Sequence, residues 1–253
     1  MTKQDKKVTI EEEEALLAEL NGGGAGAEDK IPFLAINIAT EDEEGNEIPA
    51  KTFTMLGSGE YSKTVKFRPL AYYSRLLSMK QEGKTWKTTN ETIFFKGGEQ
   101  PIDSRGGLGC GRLLGKSIPE SWSEEQKKAN KAKASFYGYL FGLVQFPGKE
   151  PVLCNFRLPA TKSYVVSTVL NELKSKHGDF TRYMLDLKLA SNPRDRSSPH
   201  PVLEVVPDVS QELPLSGLLD PLKSIKAYVD SSNARVRNNH QKAKLARQSL
   251  HED

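Results

Sequence analysis

The fold that we predict for this chain depends mainly on residues 135–159, S-F-Y-G-Y-L-F-G-L-V-Q-F-P-G-K-E-P-V-L-C-N-F-R-L-P. Its first arm is rich in aromatic side chains, which suit the pleated surface of a β-strand. Residues 147–151 predict a tight turn, because proline presets φ and glycine tolerates a positive φ. Residues 152–158 then return as a second strand, so the whole stretch predicts a β-hairpin.

The segments after the hairpin predict a helix and two more strands. Residues 163–176 place apolar side chains at helical spacing, and Gly178 favours a helix end because it tolerates a left-handed conformation. Residues 180–190 alternate like a half-buried strand, and a polar loop separates them from a last strand at 201–206. Hairpin, helix, strand, strand is the order in the second half of an OB-type barrel. We therefore predict an α+β, mainly β fold: an OB-like antiparallel β-barrel with peripheral helices and a long C-terminal helix.

The charges along the chain are segregated, although the net charge of the whole sequence is only +3. Residues 1–50 carry 4 basic and 13 acidic side chains, whereas residues 51–116 carry 12 basic and 5 acidic ones. This asymmetry predicts an acidic arm and a basic binding face, and a solvated surface with a disordered end is the alternative. The chain divides into an acidic flexible N-terminal arm (1–30), an OB-like β-rich core with inserted helices (31–207) and a basic helical C-terminal extension (208–253).

The sequence predicts a helix near each end of the chain, outside the core. Thr9 and Glu12 form a capping-box pattern at the start of a short acidic helix, and the glycines of residues 22–26 predict a linker after it. This helix would dock on a basic partner, fold back on the protein's own basic groove, or form only transiently. Residues 221–248 predict a long helix that is basic from Arg235 onward and is either ordered on a partner or frayed in solution.

The region from residue 61 to residue 96 interleaves basic side chains with aromatic rings. Proteins that hold single-stranded nucleic acid use the same two components, because cations track the phosphates and rings stack on the bases. The alternative is that most of these rings fill the core. From this region we select as candidate nucleic-acid contacts Lys63, Lys66, Arg68, Tyr72, Tyr73, Trp86 and Lys87.

A glycine-rich segment, residues 103–117, is similar to a phosphate-binding P-loop but does not match it. That motif needs a glycine five positions before the glycine of G-K-S, and this position is Cys110. Two interpretations remain: the glycines let the backbone approach a nucleic-acid phosphate, or the segment is a flexible crossover between two sheet halves. The first interpretation adds to the candidate contacts Arg105, Arg112 and Lys116.

The second half of the chain supplies the remaining candidate contacts. Two tyrosines share one face of the predicted hairpin, next to an arginine on the returning strand, and a closed core of rings is the alternative. In an OB-like barrel the polar loop before the last strand often grips the ligand, whereas an ordinary solvated loop is the other interpretation. These candidates are Tyr137, Tyr139, Arg157, Arg194 and Arg196.

The sequence gives little support for a cofactor, a metal site or a membrane span. Cys110 and Cys154 are the only cysteines, which is too few for a disulfide framework and fits a reducing cytoplasm. A zinc site built from them with His177 and His200 would have an irregular spacing unlike zinc-binding signatures. No apolar run reaches the roughly 18 residues of a spanning helix. We therefore predict a cytoplasmic protein that needs no cofactor or metal.

The order of elements over residues 136–206, the basic and aromatic first half and the charged tails resemble a bacteriophage single-stranded DNA-binding protein with an OB core. The resemblance covers residues 31–207 and rests on architecture rather than on a specific motif. It departs at the tails, because that family usually has an acidic C-terminus. Here the acidic cluster is at residues 11–14 and the C-terminal region is basic.

The resemblance implies a protein that coats exposed single-stranded DNA during replication or recombination, with replication or recombination proteins as further partners. It would act by binding alone. We predict no enzymatic activity and no catalytic residues, because the sequence contains no recognised catalytic motif. Two alternatives stay open: a structural or assembly protein of a virion, and a metal-dependent nucleic-acid enzyme with an unrecognised carboxylate site.

Overall fold

A computed structural model describes residues 31–41, 47–56, 58–82, 85–97, 100–193 and 198–249 of the chain. Within this part, the chain forms nine β-strands, three α-helices and three short 3-10 turns. The predicted helix and glycine linker of the N-terminal arm lie outside the described residues.

The nine strands belong to one sheet. The strands of the first half are β1 (Phe33–Asn37), β2 (Thr52–Met55), β3 (Tyr61–Ser62), β4 (Thr64–Glu82) and β5 (Thr85–Glu91). The strands of the second half are β6 (Ser135–Gln145), β7 (Val152–Pro159), β8 (Met184–Ala190) and β9 (Val202–Asp208). The α-helices are α1 (Glu124–Ala132), α2 (Ala160–His177) and α3 (Leu219–Ser249). The 3-10 turns are Gly109–Gly111, Gly115–Ser117 and Phe180–Arg182.

The predicted hairpin is confirmed and lies in the middle of the sheet. β6 and β7 pair antiparallel, from Tyr137 opposite Pro159 to Val144 opposite Val152. Gly148 in the connecting turn has a φ of +72°, a conformation that glycine adopts without a steric penalty. The predicted helix and two strands follow the hairpin as α2, β8 and β9.

The predicted OB-like antiparallel β-barrel is wrong, because the sheet is open and mixed. Its strand order is β3-β2-β1-β7-β6-β4-β8-β9, and β5 pairs with β4 beside this path. β1 and β7 run parallel, with Phe33 opposite Asn155, whereas the other strand pairs are antiparallel. The broader prediction of an α+β, mainly β fold agrees with the structure.

The middle of the sheet, at β6 and its neighbours, is buried on both faces, whereas β8 and β9 alternate between buried and exposed residues. Leu140 and Phe141 are neighbours in β6, so their side chains point to opposite faces. Leu140 packs in a cluster with Phe156 and with Leu170 of α2, whereas Phe141 packs in a second cluster with Leu222 of α3. α2 therefore covers one face of this part of the sheet, and α3 covers the other.

The 19-residue strand β4 extends this two-sided burial across the sheet. It pairs with β8 at its start, with β6 along its middle and with β5 at its end. Phe67 of β4 joins the cluster under α2, and Tyr73 joins the cluster under α3. One long strand therefore takes part in both cores.

The predicted C-terminal helix is confirmed, and its second half packs on the body of the protein. The Asn233 side chain accepts a hydrogen bond from the Phe94 backbone N–H at 2.7 Å, and Val236 is fully buried. His240 is also buried, and its Nδ1 hydrogen-bonds to the carbonyl oxygen of Asp103 at 2.8 Å. The body of the same chain therefore holds this helix in place.

Replacing Leu222 by alanine tests the packing of α3 on the sheet. Because Leu222 is fully buried, Leu222→Ala should lower the free energy of unfolding by about 2–5 kcal/mol, measured by urea denaturation. Leu56→Ala, directly after β2, is the matched control. Leu56 is 64% exposed, so its truncation should change stability by at most about 0.5 kcal/mol. Equal effects of the two substitutions would contradict the packing described here.

Candidate nucleic-acid interface

The predicted site residues fall into four settings. Those that are exposed are Lys63, Lys66, Lys87, Arg105 and Arg157. Those that are half-buried are Tyr72, Arg112 and Tyr137. Those that are buried are Arg68, Tyr73 and Tyr139. Those whose side chains lie outside the described part are Trp86, Lys116, Arg194 and Arg196.

The exposed members of this set are dispersed over the sheet. Lys66 lies near the start of β4, whereas Lys87 of β5 lies opposite Lys80, near the end of β4. Arg157 lies on β7, where its guanidinium is 5.4 Å from the centroid of the Tyr137 ring. The structure therefore does not bring these predicted contacts together into one groove.

The buried tyrosines belong to the core and are corrected here as base-stacking candidates. Tyr139 lies edge-on to Phe94, with ring centroids 4.9 Å apart, and Tyr73 is 5.8 Å from the same ring. Burial, and then the charge of Asp230, raises the pKa of Tyr73 to about 12. Rings packed on other rings inside the protein have no free face for a base.

The glycine-rich segment folds around a carboxylate of its own. The buried side chain of Asp103 accepts backbone hydrogen bonds from Arg105 at 2.9 Å, from Gly107 at 3.0 Å and from Cys110 at 2.7 Å. These N–H groups are the kind of donors that hold a phosphate in a P-loop. Because the Asp103 carboxylate already accepts hydrogen bonds from these three N–H groups, they are not available to a nucleic-acid phosphate. The interpretation that they approach such a phosphate is corrected.

The two described arginines of this segment also have internal partners. The Arg105 side chain donates to the Thr89 carbonyl oxygen at 2.8 Å, and the Arg112 side chain donates to the Ala134 carbonyl oxygen at 2.8 Å. Both arginines therefore brace the crossover between β5 and β6. Arg105 remains exposed and still presents charge to solvent.

A cleft of about 770 Å³ lies between β4, α2 and the turn that precedes β8. Its volume is within the range typical of ligand-binding pockets. Three cations line it, each from a different segment: Lys96 after β5, Lys174 of α2 and Arg182 of the Phe180–Arg182 turn. Two half-buried rings, Tyr72 and Phe180, also belong to its walls. The cleft therefore combines positive charge with partly accessible aromatic surface.

Arg68 holds one wall of this cleft and is corrected as a direct contact. It is only 9% exposed, and its Nε donates to the carbonyl oxygen of Thr181 at 2.9 Å. One of its terminal nitrogens donates to the carbonyl oxygen of Pro214 at 2.6 Å. The guanidinium thus ties the Phe180–Arg182 turn and the segment before α3 to β4. Arg68 is a positioning residue for the cleft.

The opposite wall is fixed by a contact between β4 and α2. The Tyr72 hydroxyl forms a hydrogen bond of 2.5 Å with the Ser163 hydroxyl. Burial raises the pKa of Tyr72 from its ordinary value. α2 ends at Gly178, whose φ is +81°, so the chain turns there into the segment that carries Phe180.

Acidic groups lie in and beside the cleft as well. Asp179 lines it, but its carboxylate accepts two hydrogen bonds from Thr181, from the backbone N–H at 2.9 Å and from the hydroxyl at 2.6 Å. Arg182 is 3.9 Å from a carboxylate oxygen of Glu212, a weak and solvent-exposed pairing. Among the described residues, the lining of the cleft therefore contains three basic side chains and one acidic side chain.

Lys96 is affected by its surroundings at the edge of the cleft. Its Nζ lies 4.7 Å from the centroid of the Tyr73 ring, which belongs to the cluster under α3 and does not line the cleft. Partial burial, and then the charge of Lys174, lowers the pKa of Lys96 to about 8. An anion bound between the two lysines would favour the charged form and raise that pKa again.

Sequence reasoning did not select the cations of the cleft. Lys96 falls within the basic and aromatic region but was not chosen from it, and Lys174 and Arg182 were not predicted to bind. Basic residues near the end of a helix are common because they complement its dipole, so the position of Lys174 carries no functional signal by itself. Only the three-dimensional fold brings these segments together.

Comparison with known proteins adds no assignment: no family model matches the chain, and no curated protein or solved structure matches it either. Within the described residues, no cluster of three or more histidine, cysteine, aspartate or glutamate side chains is arranged to hold a metal ion. None of the described helices has the length and apolar character to cross a bilayer.

Removing Lys174 should raise the pKa of Lys96. Lys174→Met deletes the second of the two causes of the lowered value, so the pKa should move from about 8 toward the ordinary lysine range but stay below it, because burial remains. NMR titration of the Lys96 side chain measures the shift. Lys176→Met, an exposed lysine on the same helix, is the control and should leave the Lys96 value unchanged. Identical titrations in the two variants would contradict the charge coupling.

Proposed function

We propose that this protein binds single-stranded DNA in the cleft between β4 and α2, by electrostatic and stacking contacts and without a cofactor. The observation that carries this proposal is the meeting of Lys96, Lys174 and Arg182 in one recess. Their segments are far apart in sequence. Lys96 and Lys174 are exposed and Arg182 is half-buried, and holding like charges close together costs free energy even there. A bound polyanion offsets that cost, because each phosphate pairs with a cation and releases counterions.

The shape of the cleft favours an unpaired strand over a duplex. Double-stranded DNA is read by a helix or a β-ribbon that protrudes into its grooves. Here the cations lie in a recess, and Tyr72 and Phe180 offer partly exposed rings to the same space. Cationic grooves with aromatic walls are the usual means of holding single strands, because every base has a face that can stack.

In this proposal the protein protects exposed strands during DNA replication or recombination. The proposal rests on the cleft alone, because the open sheet removes the barrel on which the resemblance to phage single-stranded DNA-binding proteins was based. It would work in the cytoplasm with replication or recombination proteins. The state of the cysteines fits a reducing compartment, since Cys110 and Cys154 are free thiols and both are buried.

Neutralising the three cations of the cleft should abolish most of the affinity for DNA. The triple variant Lys96→Gln, Lys174→Gln, Arg182→Gln loses three phosphate contacts. Its slope of log Kobs against log salt should therefore be shallower by about 2, since each contact on a single strand contributes about 0.7. Binding of fluorescein-labelled oligo-dT, followed by anisotropy from low to moderate salt, gives both the affinity and the slope.

A second triple variant with the same loss of charge controls for nonspecific electrostatics. Lys149, Lys188 and Lys223 are exposed and do not line the cleft, so replacing all three by glutamine should preserve the salt slope of the parent protein. Equal losses in the two triple variants would place binding elsewhere. A parent protein that binds no oligo-dT at low salt would overturn the proposed function and favour the structural or assembly alternative, and metal-dependent cleavage of the oligonucleotide would favour the enzyme.

A further inference from the structure

The second half of α3 presents a strongly basic surface that is separate from the cleft. Residues 231–249 contain five arginines and lysines and no acidic residue. One side of this half-helix packs on the protein through Val236 and His240, which are buried. The remaining sides are exposed and carry the positive charge, of which the Arg235 guanidinium also pairs with Glu91 of β5 at 2.9 Å. The cations of this basic face are Arg235, Arg237, Lys242, Lys244 and Arg247.

Helical spacing arranges the basic face as two ridges with an apolar residue between them. Arg235 and Lys242 are seven residues apart and lie one above the other, and Arg237 and Lys244 form a second such pair. Leu245 lies between the ridges and is 65% exposed. The face therefore offers cations on both flanks of an uncovered leucine.

The glycine-rich crossover extends this face at the end of the helix. An Arg247 side-chain nitrogen donates to the carbonyl oxygen of Arg105 at 2.6 Å, so helix and crossover are in contact. Leu108 on the same crossover is 55% exposed. A second uncovered leucine thus lies close to the basic face, and a fitting partner would be acidic and would carry apolar side chains of its own.

The N-terminal arm of the same chain has this composition. Residues 8–20, V-T-I-E-E-E-E-A-L-L-A-E-L, contain five glutamates, three leucines and no basic residue. The glutamates match the positive charge of the basic face, and the leucines match its exposed leucine, all within thirteen consecutive residues of the arm. A nucleic-acid backbone would match the charge of the face but not its exposed leucines.

The point where the arm joins the body places it within reach of this face. Ile31 is buried in the same cluster as Leu222 and Ile225, so the arm leaves the body on the side that α3 covers. The ten residues 21–30 span at most about 35 Å when fully extended. The distance along α3 from Ile225 to Lys244 is about 29 Å at 1.5 Å per residue. The acidic segment can therefore reach the basic face of its own chain.

We propose that residues 8–20 dock on the basic face of α3 in the same chain, with glutamates on the two cationic ridges and leucines against Leu245. The docked arm covers the helix cations and keeps them from other polyanions. This inference stands apart from the proposed function, because it concerns a different surface and needs no DNA.

Chemical labelling of lysines tests the docking in the full-length chain without DNA. Acetic anhydride should acetylate Lys242 and Lys244 several-fold more slowly in the full chain than in a variant that lacks residues 1–30, as measured by mass spectrometry. Glu11→Gln, Glu12→Gln, Glu13→Gln and Glu14→Gln combined in one full-length variant should also restore fast labelling. Lys188, exposed on β8, is the internal control and should react equally in all three proteins.

Four outcomes would overturn the proposal. The first is equal labelling of Lys242 and Lys244 with and without the arm. The second is protection of Lys96 and Lys174 instead, which would place the arm in the cleft. The third is protection that disappears on dilution, which would assign the arm to a second copy of the chain. The fourth is protection that appears only when oligo-dT is added, which would assign the basic face to nucleic acid.

Discussion

Burial on both sides of the β4–β6–β7 sheet is the constraint on which the rest of this structure depends. Successive side chains of a strand point to opposite faces, so a strand that is apolar at consecutive positions needs cover on both sides. Leu140 and Phe141 of β6 show this need, because each is fully buried in a different cluster. α2 covers one face and α3 covers the other. The open sheet lies between the two helices, so both faces of its middle strands are covered.

The location of the cleft follows from that arrangement. Where α2 and α3 cover the sheet, a ligand can reach it only through a gap between the covering elements. The cleft occupies such a gap, between α2, the turn before β8 and the segment around Leu215. Arg68 keeps the gap in shape by binding the carbonyl oxygens of Thr181 and Pro214. The same core that removes Tyr73 and Tyr139 from the surface therefore creates the recess in which Lys96 and Lys174 meet.

The sequence was informative where structure is local. The turn glycine, the alternation of β8 and the glycine at the end of α2 each act within a few residues, and these elements were predicted correctly. Strand pairing is not local: no pattern in β1 indicates that it joins β7 in parallel, or that β3 and β9 end the sheet. The OB-like barrel failed for that reason.

The prediction of Arg68, Tyr73 and Tyr139 as direct contacts is wrong for a related reason, because all three are buried. A sequence in which rings alternate with cations looks the same whether the rings face a ligand or pack in a second core. For Tyr139 the outcome depends on α3, which packs over that face of the sheet and buries the ring. Asp103 shows the same limit, because only the folded loop reveals that its carboxylate occupies the backbone donors. The cleft cations come from three distant segments, so their proximity has no signature along the chain.

The central claim is that a single DNA strand lies in the cleft between β4 and α2. Ultraviolet crosslinking of the full chain to oligo-dT, followed by mass spectrometry of the peptides, locates the contact directly. Because thymines that stack on the partly exposed rings would be trapped there, we expect adducts on Tyr72 or Phe180. Reproducible adducts confined to peptides outside the cleft, such as those of β9 or α1, would contradict the claim.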